Sequence, residues 1–164
     1  SWGLGATYVT DAGDTAVTIG AGISESDWKD SGTAPTGDNG FHVGFSAVTG
    51  DLTVAAGYAN GDKVRATPEI ALFDATTTKV GVKYVAGDVT LSAGFTSGEV
   101  DDNGTITAAS GDTDTKDVTE LGISYAVASG VTANLGWKDI DAKDEGSSDN
   151  TGGSSWYLGA SMSF

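Results

Sequence analysis

The chain contains no cysteine, which excludes disulfides and thiolate-bound metals. Its one histidine, His42, leaves little for a His-based catalytic site. Bases are scarce too: 8 Lys and Arg stand against 23 Asp and Glu, a formal net charge of -15. A nucleic-acid surface needs clustered Lys and Arg, so nucleic acid is excluded as a partner. Only two prolines occur, Pro35 and Pro68. No segment approaches the roughly 18 apolar residues of a membrane helix. That last absence leaves a membrane β-barrel open, because barrel strands alternate and give a much weaker signal per segment.

Glycine is plentiful, 25 of 164 residues, and it sits in a repeat. Four segments open with an apolar residue and Thr and then alternate: Val17–Gly22, Leu52–Tyr58, Val89–Phe95 and Val131–Trp137. Between them the order is apolar, Gly, apolar, then a small or polar residue, in segments starting at Leu4, Val43, Val80, Leu121 and Leu158. These starts fall 37 to 41 residues apart. Period-two alternation of this length predicts nine strands, near 2–10, 15–24, 41–48, 52–60, 78–86, 89–97, 118–127, 131–139 and 155–164. Short Gly-containing turns alternate with long connections at 25–40, 60–77, 97–117 and 139–154, rich in Gly, Ser, Thr and Asp. Short turns at one end and long loops at the other predict an all-β, up-and-down transmembrane barrel.

One parity of these strands is apolar and uncharged. The other holds Gly, Ser, Thr and nearly every strand charge. Aromatics on the apolar parity are expected to form two girdles. Trp2, Phe41, Tyr58, Phe95, Trp137 and Trp156 fall near the long-loop end, and Tyr8, Tyr84 and Tyr125 near the short-turn end. Aromatic belts flanking an aliphatic band are the expected placement at two membrane interfaces. A soluble β-sandwich explains the alternation, but not two aromatic rings with no charge between them.

The last residue, Phe164, closes an alternating run of Trp156, Leu158, Ala160 and Met162. This resembles the terminal strand of outer-membrane proteins, whose closing aromatic is read by the assembly machinery. With the Gly-rich repeats and acidic connections, the chain resembles the C-terminal half of a Gram-negative general porin of the alphaproteobacterial (Rhodobacter-like) type. The resemblance covers the whole chain and rests on pattern rather than on a catalytic motif. It implies that residues 1–164 are the C-terminal part of a single barrel domain, strands eight to sixteen of a 16-stranded homotrimeric porin. Single-chain bacterial barrels have even strand numbers, so nine strands alone are not expected to close. The implied surroundings are outer-membrane lipid and lipopolysaccharide.

The function expected is passive diffusion of small polar solutes and ions through a water-filled lumen, without catalysis and without a resident cofactor. Candidate pore-lining residues are His42, Lys79, Lys83, Glu120, Asn134 and Lys138, all on the polar parity. Lys79 and Lys83 suit a basic track that acts on dipolar solutes, or simply charges solvated in a wet lumen. Acids gather in two connections, and Asp101, Asp102, Asp112 and Asp114 suit a hard cation such as Ca²⁺ or a solvated acidic surface. These acids lead to the expectation of a weak cation preference. Two other classes compete: a plugged structural or adhesive barrel, and a barrel enzyme, which needs a clustered nucleophile and base that this sequence does not offer.

Overall fold

The computed structural model describes residues 1–28, 36–66, 70–102, 112–143 and 150–163. It contains nine strands: β1 (Trp2–Ala12), β2 (Thr15–Trp28), β3 (Thr36–Thr49), β4 (Leu52–Ala66), β5 (Ile70–Ala86), β6 (Val89–Asp102), β7 (Asp112–Ala128), β8 (Val131–Lys143) and β9 (Thr151–Met162). They form one antiparallel sheet in sequence order, β1 to β9. Each strand pairs only with its sequence neighbours, and β1 makes no contact with β9. The sheet is therefore open, as nine strands running alternately up and down require. β1 and β9 run in the same direction and cannot pair antiparallel with each other.

The four short connections are two-residue turns. Each contains a glycine in the left-handed region: Gly13 (φ 65°), Gly50 (54°), Gly87 (61°) and Gly130 (74°). Two-residue hairpin turns need φ > 0, which glycine adopts at no steric cost. These turns fix the register of four hairpins.

At the opposite end the strands are longer than the alternation predicts. β6 continues through Asp102, β7 begins at Asp112, β8 continues through Lys143, and most of 60–77 is strand. The acids expected in loops at Glu99, Asp101, Asp117, Asp139 and Asp141 thus lie on ladders. The reason is physical. Beyond the apolar band both faces meet water, so the hydrophobic alternation stops while backbone pairing carries on.

Register shows that the two parities are two true faces. Residues paired across an antiparallel ladder share a face. One row runs Trp156, Trp137, Leu121, Ala93, Val82, Val54, Ala47, Val17, apolar at every strand from β9 to β2. Among the described residues no hydrophobic side chain is buried, while Leu158 is 82% and Leu4 69% exposed. A soluble fold would bury this face in a core. Here the sheet has no core, and the apolar face requires an apolar solvent.

The aromatics fall on two sloping lines. The row through Trp156 and Trp137 reaches β1 at Thr10, eight residues from Trp2, after eight strand-to-strand steps. On the lower line Tyr125 leads to Val89 and Ala86, two residues from Tyr84. Tyr84 in turn leads to Leu52, Thr49, Thr15 and Ala12, four residues from Tyr8. Both lines shift one residue per strand. With strands about 4.8 Å apart and a rise of about 3.3 Å per residue, that slope is about 35°. Strands in barrels tilt by about 35–45° from the axis. The tilt cancels the slope, so each aromatic line runs level around the barrel.

Leu135 lies between the two levels on the apolar face, with Asn134 on the other. Leu135→Arg is expected to destabilise the membrane-embedded protein by about 2–4 kcal/mol, the cost of a cation facing lipid near the midplane. Asn134→Arg should cost far less. Unfolding by denaturant from lipid vesicles measures both, and equal losses would show that the faces are assigned wrongly.

Candidate functional site: the inner face of the sheet

The second face is built from small residues, and glycine organises it. Gly5 pairs with Gly22, Gly44 with Gly57, Gly81 with Gly94, and Gly122 with Gly136. Each pair is offset from the next by two residues, and Gly159 follows two residues below Gly136 through its partner Asn134. One glycine per strand therefore traces a belt with the same one-residue slope as the aromatics. The belt runs level, between the two aromatic lines and on the opposite face.

Two of these glycines accept rings from neighbouring strands. A Cβ on Gly136 would lie 2.0 Å from Cζ of Tyr157, and one on Gly22 would lie 2.5 Å from Cε1 of His42. Tyr157 thus lies across β8 toward Gly122, and His42 lies flat against β2. Sequence reasoning placed His42 on this face but passed over Tyr157. The signal was present: an aromatic interrupts the small-residue parity of β9 and pairs with a glycine.

The polar candidates share this face. Lys79 and Lys83 flank Gly81 on β5 and are exposed. Lys83 stands opposite Thr53 and Ser92, and Lys79 opposite Gly57 and Thr96. Lys138 pairs with Glu120 at 3.2 Å, with side chains 40% and 57% exposed. An ion pair this wet contributes little stability, about 0–1 kcal/mol, but it cancels two wall charges. The Ser124 hydroxyl donates to Oδ1 of Asn134 at 2.8 Å. Lys116 lies further out on β7, with Asp114 two residues beyond it on the same face.

The acids of the strand extensions mostly take the other face. Glu25, Asp62, Asp74, Glu99, Asp101, Asp117, Asp139 and Asp141 continue the apolar parity past the upper aromatic line. Several are held by neighbours on adjacent strands. Nε1 of Trp2 donates to Glu25 at 3.0 Å, Nδ2 of Asn60 to Asp74 at 2.8 Å, and the Ser97 hydroxyl to Asp117 at 2.6 Å. Lys143 binds Asp141 at 3.4 Å. The four acids considered for Ca²⁺ are not brought together as a set. Asp101 takes a hydrogen bond from Thr113 on the outward parity, while Asp114 lies on the inward one. The side chains of Asp102 and Asp112, and Phe164, lie outside the described residues. Among the described residues no group of three or more His, Cys, Asp or Glu is placed to hold a metal ion.

A coreless antiparallel sheet, lipid-like on one face and wet on the other, narrows the comparison to membrane barrels. A family model for Gram-negative porins matches residues 1–164. The chain belongs to the Gram-negative porin family. Its fold is that of outer-membrane β-barrels, and its location is the outer membrane. Among solved structures this porin chain is similar to outer-membrane expressed OmpT of Vibrio cholerae, with 20% identity and a TM-score of 0.65 over 95% of this chain and 54% of that one. The in-vitro folded trimer form of OmpT gives 19% and 0.66, again over 95% and 54%. A loop L8 deletion mutant of OmpT gives 21% and 0.65 over 95% and 51%. At these identities the likeness establishes fold. The porin chain spans about half the length of these OmpT structures. A search of curated proteins finds no match.

The Tyr157 contact yields a test. Gly136→Ala should push the ring off β8 and cost about 1 kcal/mol, because the exposed inner face leaves a displaced ring space to move into. In a Tyr157→Ala background the same change should cost almost nothing. A double-mutant cycle on unfolding midpoints measures the coupling, and additivity would mean the ring does not rest on the glycine.

Proposed function

We propose that this porin chain forms one side of a water-filled channel for passive diffusion of small polar solutes and ions across the outer membrane. The observation that carries the reading is the inner face itself: glycine, serine and threonine, with scattered charges, on a sheet whose large side chains nearly all point the other way. Small barrels fill their interiors with side chains, whereas wide ones leave an aqueous lumen. Among the described residues Tyr157 and His42 lie along the wall, and the long groups that project from this face are charged side chains such as Lys79, Lys83 and Lys138.

The channel is completed by further strands. β1 and β9 end the sheet with unpaired backbone, and each unmet backbone group in lipid costs several kcal/mol. Because both edge strands run the same way, all-antiparallel closure takes an odd number of added strands. A 16-stranded barrel, with these nine as its C-terminal part, meets that requirement. The two aromatic levels then sit at the membrane interfaces, with Trp2, Phe41, Tyr58, Phe95, Trp137 and Trp156 outside and Tyr8, Tyr84 and Tyr125 inside. The outward acids face the lipopolysaccharide head groups through diffuse divalent ions. Phe164 serves as the signal read by the assembly machinery. Three barrels associate, in line with the OmpT trimer form. The reading includes no enzymatic step and no resident cofactor; among the described residues His42 makes no hydrogen bond to a serine nucleophile.

Planar-bilayer recording of the full-length protein tests the function. A large, steady single-channel conductance that scales with bulk salt is expected. Silence from folded protein would favour the plugged, structural or adhesive barrel instead.

A further inference from the structure

The channel reading leaves open which charge the wall favours, and the distribution of charge between the faces bears on it. Across β2 to β6, the described side chains on the inner face include no carboxylate at all. Their only charges are Lys79 and Lys83. Glu120, on β7, is paired with Lys138. Turn carboxylates such as Asp51 and Asp88 belong to the far end of these hairpins. The expectation of cation preference rested on acids around the mouth, yet Glu99, Asp101, Asp117, Asp139 and Asp141 lie on the outward parity. A protein of net charge -15 thus shows, among its described side chains, a basic sector on its inner face.

We infer that the β2–β6 wall is a route for small anions, with Lys79 and Lys83 as successive weak binding points. This deepens the proposed channel function and rests on it. The two ammonium groups belong to residues four apart on one strand, about 13 Å along the wall. That exceeds the screening length of about 8 Å at physiological salt, so each acts as a separate local site. Gly57, Gly81 and Gly94 beside Lys79 leave its head group room for a hydrated ion. Thr53, Ser92 and Thr96 place hydroxyl donors next to the lysines, suited to the oxygens of phosphate or a carboxylate. Among the described side chains no fixed acid neutralises either site on this sector, and conduction favours binding points weak enough to leave.

The test uses the full-length protein in planar bilayers, with reversal potential under a KCl gradient and inorganic phosphate as the probe. Lys79→Gln with Lys83→Gln should lower the chloride-to-potassium permeability ratio several-fold. It should also remove the reduction of chloride current by millimolar-range phosphate. Lys79→Arg with Lys83→Arg should keep both properties, which separates charge from folding. Lys143→Gln, on the outward face beside Asp141, should leave the ratio where it was. A channel that conducts with its ratio and its phosphate response untouched by the double Gln change overturns the anion route and leaves the channel function standing. Folded protein that passes no current overturns both.

Discussion

Everything in this sheet depends on one constraint: in hydrocarbon a backbone polar group has no partner but another backbone group. Long antiparallel ladders meet it, and each strand from β2 to β8 is paired on both sides. Once the backbone is satisfied this way, side chains have only two directions to take. One face must dissolve in lipid and the other in water. That division replaces the hydrophobic core of a soluble fold, and it explains how most of the large apolar residues exposed among the described residues, Leu158 and Leu4 among them, can stand so in a stable protein.

The same constraint makes glycine constructive. A strand interior with glycine is weak in a soluble sheet, where it offers nothing to pack. Here the small-residue face borders water and has no core to fill. Glycine at one level on every strand removes bulk from the wall at mid-height. It also lets rings from adjacent strands lie flat, as Tyr157 does on Gly136. The belt, the upper aromatic line and the lower aromatic line are three readouts of a single slope. Their agreement is a consistency check between sequence and geometry that no one of them supplies alone.

How much was legible from sequence follows from where lipid is present. Inside the band, Val54, Leu91, Ile123 and Leu135 alternate with Thr53, Thr90, Ser124 and Asn134, and the solvent difference between faces writes the strand into the sequence. The pairing of every apolar row matches that parity. Past the band, Thr76, Glu99, Asp117 and Asp141 meet water on both sides. Alternation then carries no information, and the strands read as loops. The sideways placement of acids was illegible for the same reason. Knowing that Asp101 and Asp117 are acidic does not say which face they take until the ladder is known to reach them. Tyr157 was missed through averaging, since one large residue among small ones looks like noise until its glycine partner is found.

Net charge is a statement about the whole molecule, useful for solubility and long-range steering. An ion in a lumen responds to the wall within a screening length or so. Acids on the outward parity lie on the far side of the sheet from the inner face and, in the proposed channel, would lie against the head-group region. In the proposed channel, lysines on the inward parity would meet the solute directly. In this chain the outward acids from Glu99 to Asp141 and the inward pair Lys79 and Lys83 have opposite sign, so under the proposed anion route composition and permeation point in opposite directions, and the face a residue occupies outweighs the number of residues of its kind.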